Sequence, residues 1–332
     1  MTTLSNEHSF AQYIRILGKG KTGSRSLSQD EAYTAFSAIL NDEAEDIQIG
    51  AFLMLLRVKE ESPEEIAGFV RACKDFINAP KNIAIDIDWS SYAGKRKHLP
   101  WFIASLLILA QHGYRVFIHG AKGHTVGRLY SEDVFQQLGL PISHNWSEAA
   151  QQLNEFNLSF MPIHNLCTPL ERLINLRGQL GLRSPVHTLC RLINPLNAPY
   201  SFQSIFHPAY AGTHQQAASL LKQKNMAVFK GEGGEIERKS NATCLVKSII
   251  NDTQCEEKWP RLLDEKEPIH ETLDLNHFTA IWQGKINDSY AEQAITGTLA
   301  IVLKSIQHLN SMDAAQQEAN RLFSLRNKNT FL

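Results

Sequence analysis

The stretch from Ile83 to Gly120, IAIDIDWSSYAGKRKHLPWFIASLLILAQHGYRVFIHG, decides the fold. Ile83-Ala84-Ile85-Asp86-Ile87 alternates as a short strand does, an apolar segment from about Leu99 to His112 has helical length, and Val116-Phe117-Ile118 is a second strand. Strand, loop, helix and strand in that order form a βαβ unit, which requires a parallel sheet covered by helices. Ligands of such sheets sit beyond the carboxyl ends of the strands, so the loop Ser90 to His98 falls where a site is expected. Lys95, Arg96 and Lys97 come just before the helix, where free N–H groups and the helix dipole favour an anion, and Gly94 lets the backbone approach it. A solvated basic loop is the competing reading.

Upstream, Ser28 with Glu31 and Ser62 with Glu65 are capping boxes, the second with Pro63 at the first helical position. They start amphipathic helices, and between them Ile47, Phe52, Leu55 and Leu56 mark a helix with little polar surface, suited to a small bundle or a subunit contact. Downstream, Thr168 with Pro169 and Glu171 starts a further helix, and Ala227-Val228-Phe229 is a strand leading into the acidic, glycine-rich loop Gly231 to Glu235. The expected class is α/β: helices over the first 80 residues, then a mainly parallel sheet, with the Pro169 helix closer in character to the N-terminal helices than to the sheet region.

Charge is distributed unevenly. The chain has 332 residues and a net charge of -1, yet Arg172 to Gly231 holds seven Lys or Arg and no acid over 60 residues. Trp89 to Ser131 holds six with four His, and His8 to Gln29 holds four with one His, again without an acid. Such runs point to a positive surface assembled from distant segments and a polyanionic partner, unless they are simply buried core. Beyond the Lys95 loop, the candidate contacts are His119, Lys122, Arg172, Arg177, Arg183, His187 and Arg191. Tyr92, Trp101 and Phe206 could stack on bases, although core packing is the commoner role of each.

Catalytic patterns are weaker. GxSxG, HExxH, the Walker loop and GxGxxG are absent. Asp86 and Asp88 suit capping of nearby N–H groups better than metal binding, and Glu232, Glu235 and Glu237 read as a solvated loop, with magnesium binding the alternative. Five cysteines without CxxC spacing fit reduced thiols in the cytoplasm, and neither a leader at Met1 to Glu7 nor a membrane span is expected.

The residues also resemble a known family. Ile47 to Lys59 followed by Pro63-Glu64-Glu65-Ile66-Ala67-Gly68 resembles the helical signature of the anthranilate phosphoribosyltransferases of glycosyltransferase family 3. Phe160-Met161-Pro162, Leu180-Gly181-Leu182-Arg183 and Asn194-Pro195-Leu196 are similar to its later landmarks. The resemblance implies a small helical domain, residues 1–80 joined by helices from about 164–188, beside a larger α/β domain, 81–332, and a homodimer through the helical domains; the excess apolar surface around Phe52 and Leu56 puts the contact there. The family's Gly-Thr-Gly-Gly-Asp diphosphate loop is replaced by Ser91-Tyr92-Ala93-Gly94-Lys95-Arg96, its Asn-Ile-Ser-Thr by His98-Leu99-Pro100-Trp101, and its Asp-Glu magnesium pair by Ile236-Glu237. These departures, with Phe206-His207-Pro208 and Tyr210, resemble the family's paralogues associated with nucleic-acid binding without sequence preference. The leading expectation is therefore a DNA- or RNA-binding protein with no metal, no catalytic residue and no cofactor, weak binding of phosphoribosyl pyrophosphate aside. The alternatives are a phosphoribosyltransferase with an unidentified acceptor and a small-anion sensor.

Overall fold

A computed structural model describes residues 7–20, 22–264 and 273–329, so the reading of Met1 to Asn6 lies outside the described residues. Helices α1 (Ala11–Gly18), α2 (Gln29–Leu40), α3 (Asp46–Lys59) and α4 (Pro63–Ile77) come first. Both predicted capping boxes form, with the Ser28 and Ser62 side chains accepting from Glu31 N and Glu65 N. Helices α2 and α4 touch at Gly68, where a Cβ would lie 2.3 Å from Gln29 O, so only glycine allows the approach.

The sheet is built from β1 (Ile87–Ser91), β2 (Val116–Gly120), β3 (Leu158–Pro162), β4 (Tyr200–Ile205), β5 (Asn225–Lys230), β6 (Cys244–Ile250) and β7 (Thr253–Trp259). Its order is β3-β2-β1-β4-β5-β6-β7, with the first five strands parallel and the last two antiparallel. Chain order runs outward in one direction from β1 and in the other from β4. Their shared carboxyl edge is thus the topological switch point, the usual ligand position in this architecture.

Helix α5 (Phe102–Gln111) is buried at every position before Gln111 and lies with α14 (Ser289–Ile306) in the core on one side of the sheet. A second core joins α1 to α4 to α9 (Thr168–Asn175) and α11 (Val186–Leu189), and reaches the sheet at Phe117 and Met161. Remaining helices are α6 (Ser131–Leu138), α7 (Trp146–Phe156), α8 (Ile163–Leu166), α10 (Arg177–Leu180), α12 (Tyr210–Leu220), α13 (Leu275–Trp282) and α15 (Met312–Leu325).

Three expectations need correction. The first strand begins at Ile87 instead of Ile83: Ile83 and Ile85 are buried in the second core from a linker, and alternation reflected that burial, not a ladder. Helix α9 takes Cys167 as its cap, because the Thr168 hydroxyl donates back to His164 O at 3.0 Å. Phe52 and Leu56 are fully buried within their own helical core, Phe52 stacking edge-on against Phe10 and Phe69, so neither reaches a partner. The outward face of α3 carries Ile47 and Val58 instead, 83% and 84% exposed, with Ala51 between them.

Candidate functional site

The chain leaves β1 at the switch point through Tyr92 to Lys97. Gly94 has φ +70° and the Tyr130 ring stands 2.9 Å from where a Cβ would be, so glycine is required on both counts. The Ala93 and Gly94 N–H groups donate to Glu235 Oε1 at 2.7 and 2.6 Å, and the Ser91 hydroxyl donates to Oε2 at 2.9 Å. Lys95 Nζ lies 2.5 Å from Glu237 Oε1, while Phe102 N at the start of α5 donates to Oε2 at 2.9 Å. Donors with the right geometry for an anion are present, but two carboxylates of the same chain already occupy them.

This overturns several expectations. Glu235 and Glu237, predicted to be solvated, are 1% and 0% exposed, and Lys95 is 1% exposed. A buried ammonium is tolerable only beside such a carboxylate. Gly94 and Lys95 are therefore unavailable to a ligand, whereas Arg96 and Lys97 remain exposed. Tyr92 and His119 are buried as well: the Tyr92 hydroxyl meets His119 Nδ1 at 2.6 Å, and His119 Nε2 lies 3.3 Å from Asp88 Oδ1. Burial pushes the Tyr92 phenol well above its ordinary range. Asp86 caps as expected, accepting from Arg115 N at 2.8 Å, while Asp88 belongs to the core. Lys122 is offset by Glu132 at 2.7 Å and Arg172 by Asp42 at 2.8 Å and by Asp46. Neither is a free cation.

Of the remaining candidates, Arg183, His187 and Arg191 line one cleft, and Arg177 adjoins it through Thr125, as do Arg128 and His124 through the Tyr92 loop. Arg177 Nη1 donates to His124 O at 2.7 Å and to Thr125 Oγ1; Arg183 Nη2 reaches the same hydroxyl at 3.5 Å. Arg128 Nη1 donates to the carbonyls of Ala93, Gly94 and Gly233 at 3.0, 2.9 and 3.3 Å. Arg191 donates to the carbonyls of His187 at 3.2 Å, Gly234 at 2.9 Å and Ser204. Among the described residues no carboxylate forms an ion pair with any of these four arginines.

The cluster is electrostatically incomplete. Burial, then repulsion from Arg128, Arg191 and Arg177, pushes the Arg183 guanidinium down to about 10. Burial and the neighbouring Arg183 lower His124 to about 4, and burial with His124 drives His187 well below the ordinary imidazole value. His187 Nε2 and Ser184 Oγ are buried without hydrogen-bond partners. Both line a cleft of about 150 Å³ with Arg183, Arg191, Phe206 and Tyr210; its one lining acid, Glu61, is held toward the protonated form by burial. Guanidiniums without an acid partner and the unpartnered Ser184 hydroxyl suit an anionic ligand, whereas neutral His187, with Nδ1 turned to Ser184 O at 3.3 Å, offers an acceptor at Nε2.

Sequence reasoning noted His124 only as the end of the loop after Ile118 and passed over Arg128 and Ser184. The first two lie inside the acid-free run Trp89 to Ser131, which was their signal; Ser184 had none.

A pH dependence follows. His124 and buried His214 titrate near 4 and 3 in the folded chain against 6.5 ordinarily, so the unfolded chain binds their protons first. Stability is full above pH 6.5 and falls as pH drops toward these folded values. Chemical denaturation from pH 7.5 to 4.5 should show a falling midpoint, with a shallower fall in His214→Gln.

Fold and cleft together define a phosphoribosyltransferase-type scaffold whose anion loop is closed from within. The helical bundle domain of a glycosyl transferase family matches residues 11–77 and its α/β domain matches residues 103–318. The chain belongs to this family, glycosyl transferase family 3. Among relatives, the uncharacterized protein YbiB of Escherichia coli is 29% identical over 68% of this chain and 71% of its own. An uncharacterized Aquifex aeolicus protein is 28% identical over 81% and 84%, and the anthranilate phosphoribosyltransferase of Geobacillus kaustophilus 27% over 66% and 65%. Thermus thermophilus anthranilate phosphoribosyltransferase superposes with a TM-score of 0.77 at 18% identity, covering 96% of this chain and 95% of that one. The Saccharomyces cerevisiae enzyme in complex with PRPP and Mg gives 0.77 at 16%, covering 96% and 94%. These two structures show a common fold. No helix among the described residues is long and apolar enough to cross a membrane.

Proposed function

We propose that this chain binds the phosphate backbone of DNA or RNA at the arginine cleft and does not transfer phosphoribose to anthranilate. The observation that carries the reading is the contrast between two adjacent sites. At the loop after β1, Glu235 and Glu237 satisfy the N–H groups and the lysine. At the cleft beside it, Arg183 and Arg191 in the lining and Arg128 and Arg177 next to them form no ion pair with any described acid. Phosphate contacts without base-reading groups give binding that is strong, salt-dependent and indifferent to sequence.

The residues do not fit a magnesium–diphosphate group. Both Glu237 oxygens are engaged, Ile236 offers no ligand atom, and a diphosphate at Ala93 and Gly94 would meet the Glu235 carboxylate. No magnesium or other cofactor is proposed. Titration with unrelated single-stranded and duplex DNAs at several salt concentrations tests the reading: affinities should be similar across sequences and fall linearly in log salt. Consumption of anthranilate in the presence of phosphoribosyl pyrophosphate and magnesium, abolished by chelation, would favour the enzyme instead.

We also propose a homodimer, with Ile47, Ala51 and Val58 of α3 supplying the contact in place of Phe52 and Leu56. Two cleft sites would then share one polymer and raise affinity through effective concentration. Light scattering at micromolar protein should give twice the protomer mass, and Val58→Asp should shift it toward the monomer. A parent that scatters as a monomer sinks the proposal.

A further inference from the structure

Of the three aromatic residues with sequence positions suited to stacking, Tyr92 and Trp101 are each 1% exposed and lie in the cores. Phe206 is 51% exposed and stands immediately after β4, at the switch point. Its ring forms the shared wall of two openings. On one side is the cleft of Arg183, His187 and Arg191. On the other is a cavity of about 490 Å³ running between the ends of β5 and β6, with Lys230, Lys239 and Glu232 as its charged lining and Ala211, Cys244 and Leu245 among its apolar lining. That volume falls in the range of small-ligand sites. Lys239 lies 3.6 Å from Glu232, while Lys230 makes no ion pair among the described residues.

We propose that this second cavity is a nucleobase site and that Phe206 is its stacking platform, so that the partner is a single strand. An exposed phenyl ring beside an apolar recess, with cations on both flanks, matches a polymer whose flat apolar bases alternate with phosphates. One phosphate faces the arginine cleft and another faces Lys230, while the base between them lies against the ring. A duplex keeps its bases paired and stacked, so it can use the cations but not the recess. The proposal rests on the backbone-binding reading and narrows it.

The test uses the full chain with fluorescein-labelled oligothymidylate and a blunt duplex of equal length, at one fixed salt concentration. Phe206→Ala should weaken single-strand binding about 5- to 150-fold, the loss of one stacked base, and weaken duplex binding by much less. Phe206→Trp should retain single-strand affinity, showing that the aromatic face is required. Circular dichroism should be unaltered for both variants, because the ring is half exposed. If Phe206→Ala binds the single strand like the parent, or weakens both ligands equally, the stacking site is wrong while backbone binding stands. If the parent binds neither ligand, both readings fall.

Discussion

Replacing Lys95 by methionine is expected to lower the unfolding free energy by roughly 3–5 kcal/mol, among the largest effects a single substitution can have. The ammonium is 1% exposed and its partner Glu237 is 0% exposed, so the change removes a cation from beside a carboxylate that water cannot reach. Coupling to the partner distinguishes this cause from lost packing. Glu237→Gln keeps an oxygen that can accept from Phe102 N, so Lys95→Met with Glu237→Gln should recover more than half of the loss. Denaturant unfolding of the two single variants and the double variant measures the coupling. A loss below about 1 kcal/mol for Lys95→Met would mean that the buried pair is not the determinant of this loop.

The second large effect concerns binding. Arg177→Ala with Arg183→Ala should flatten the plot of log affinity against log salt by about 0.7 to 0.9 units for each phosphate no longer neutralised. Affinity at low salt should fall by more than tenfold. Stability should change far less than binding, because the hydrogen bonds lost at His124 O and Thr125 are offset by release of a guanidinium disfavoured by burial and by repulsion from Arg128, Arg191 and Arg177. Arg172→Ala is the control: its guanidinium is offset by Asp42 and Asp46, and its removal should leave the salt plot unchanged. A double variant that binds with the parent's slope would remove the cleft from the binding surface.

Much of the fold was legible because its signals are local. The Ser28 and Ser62 capping boxes, the apolar α5 and the strands at Val116 and Ala227 each announce themselves within a few residues. The site was legible only in part, because its decisive pairings are distant. Lys95 and Glu237 are 142 residues apart, and Arg172 meets Asp42 across 130, so sequence shows each charge without showing what cancels it. Acids beside glycines in Gly231 to Glu235 have the composition of a solvated loop; burial came from the loop folding under Tyr92 to Lys95. The long acid-free runs did mark the cleft. They could not separate Arg183, which lines it, and Arg177, which adjoins it at Thr125, from Arg172, which turns to the acids of the helical domain.

The hydrogen bonds around Glu235 also decide which side of an encounter must adapt. Glu235 ties the Tyr92 loop to the Glu232 loop, Arg128 ties Ala93 and Gly94 to Gly233, and Arg191 ties Gly234 to the end of β4. Three segments that would otherwise need a ligand to settle them are cross-braced in its absence, so docking costs this protein little ordering entropy. The cost of adjustment falls on the other molecule, as ordering entropy if it is flexible and as strain if it is rigid and ill-matched.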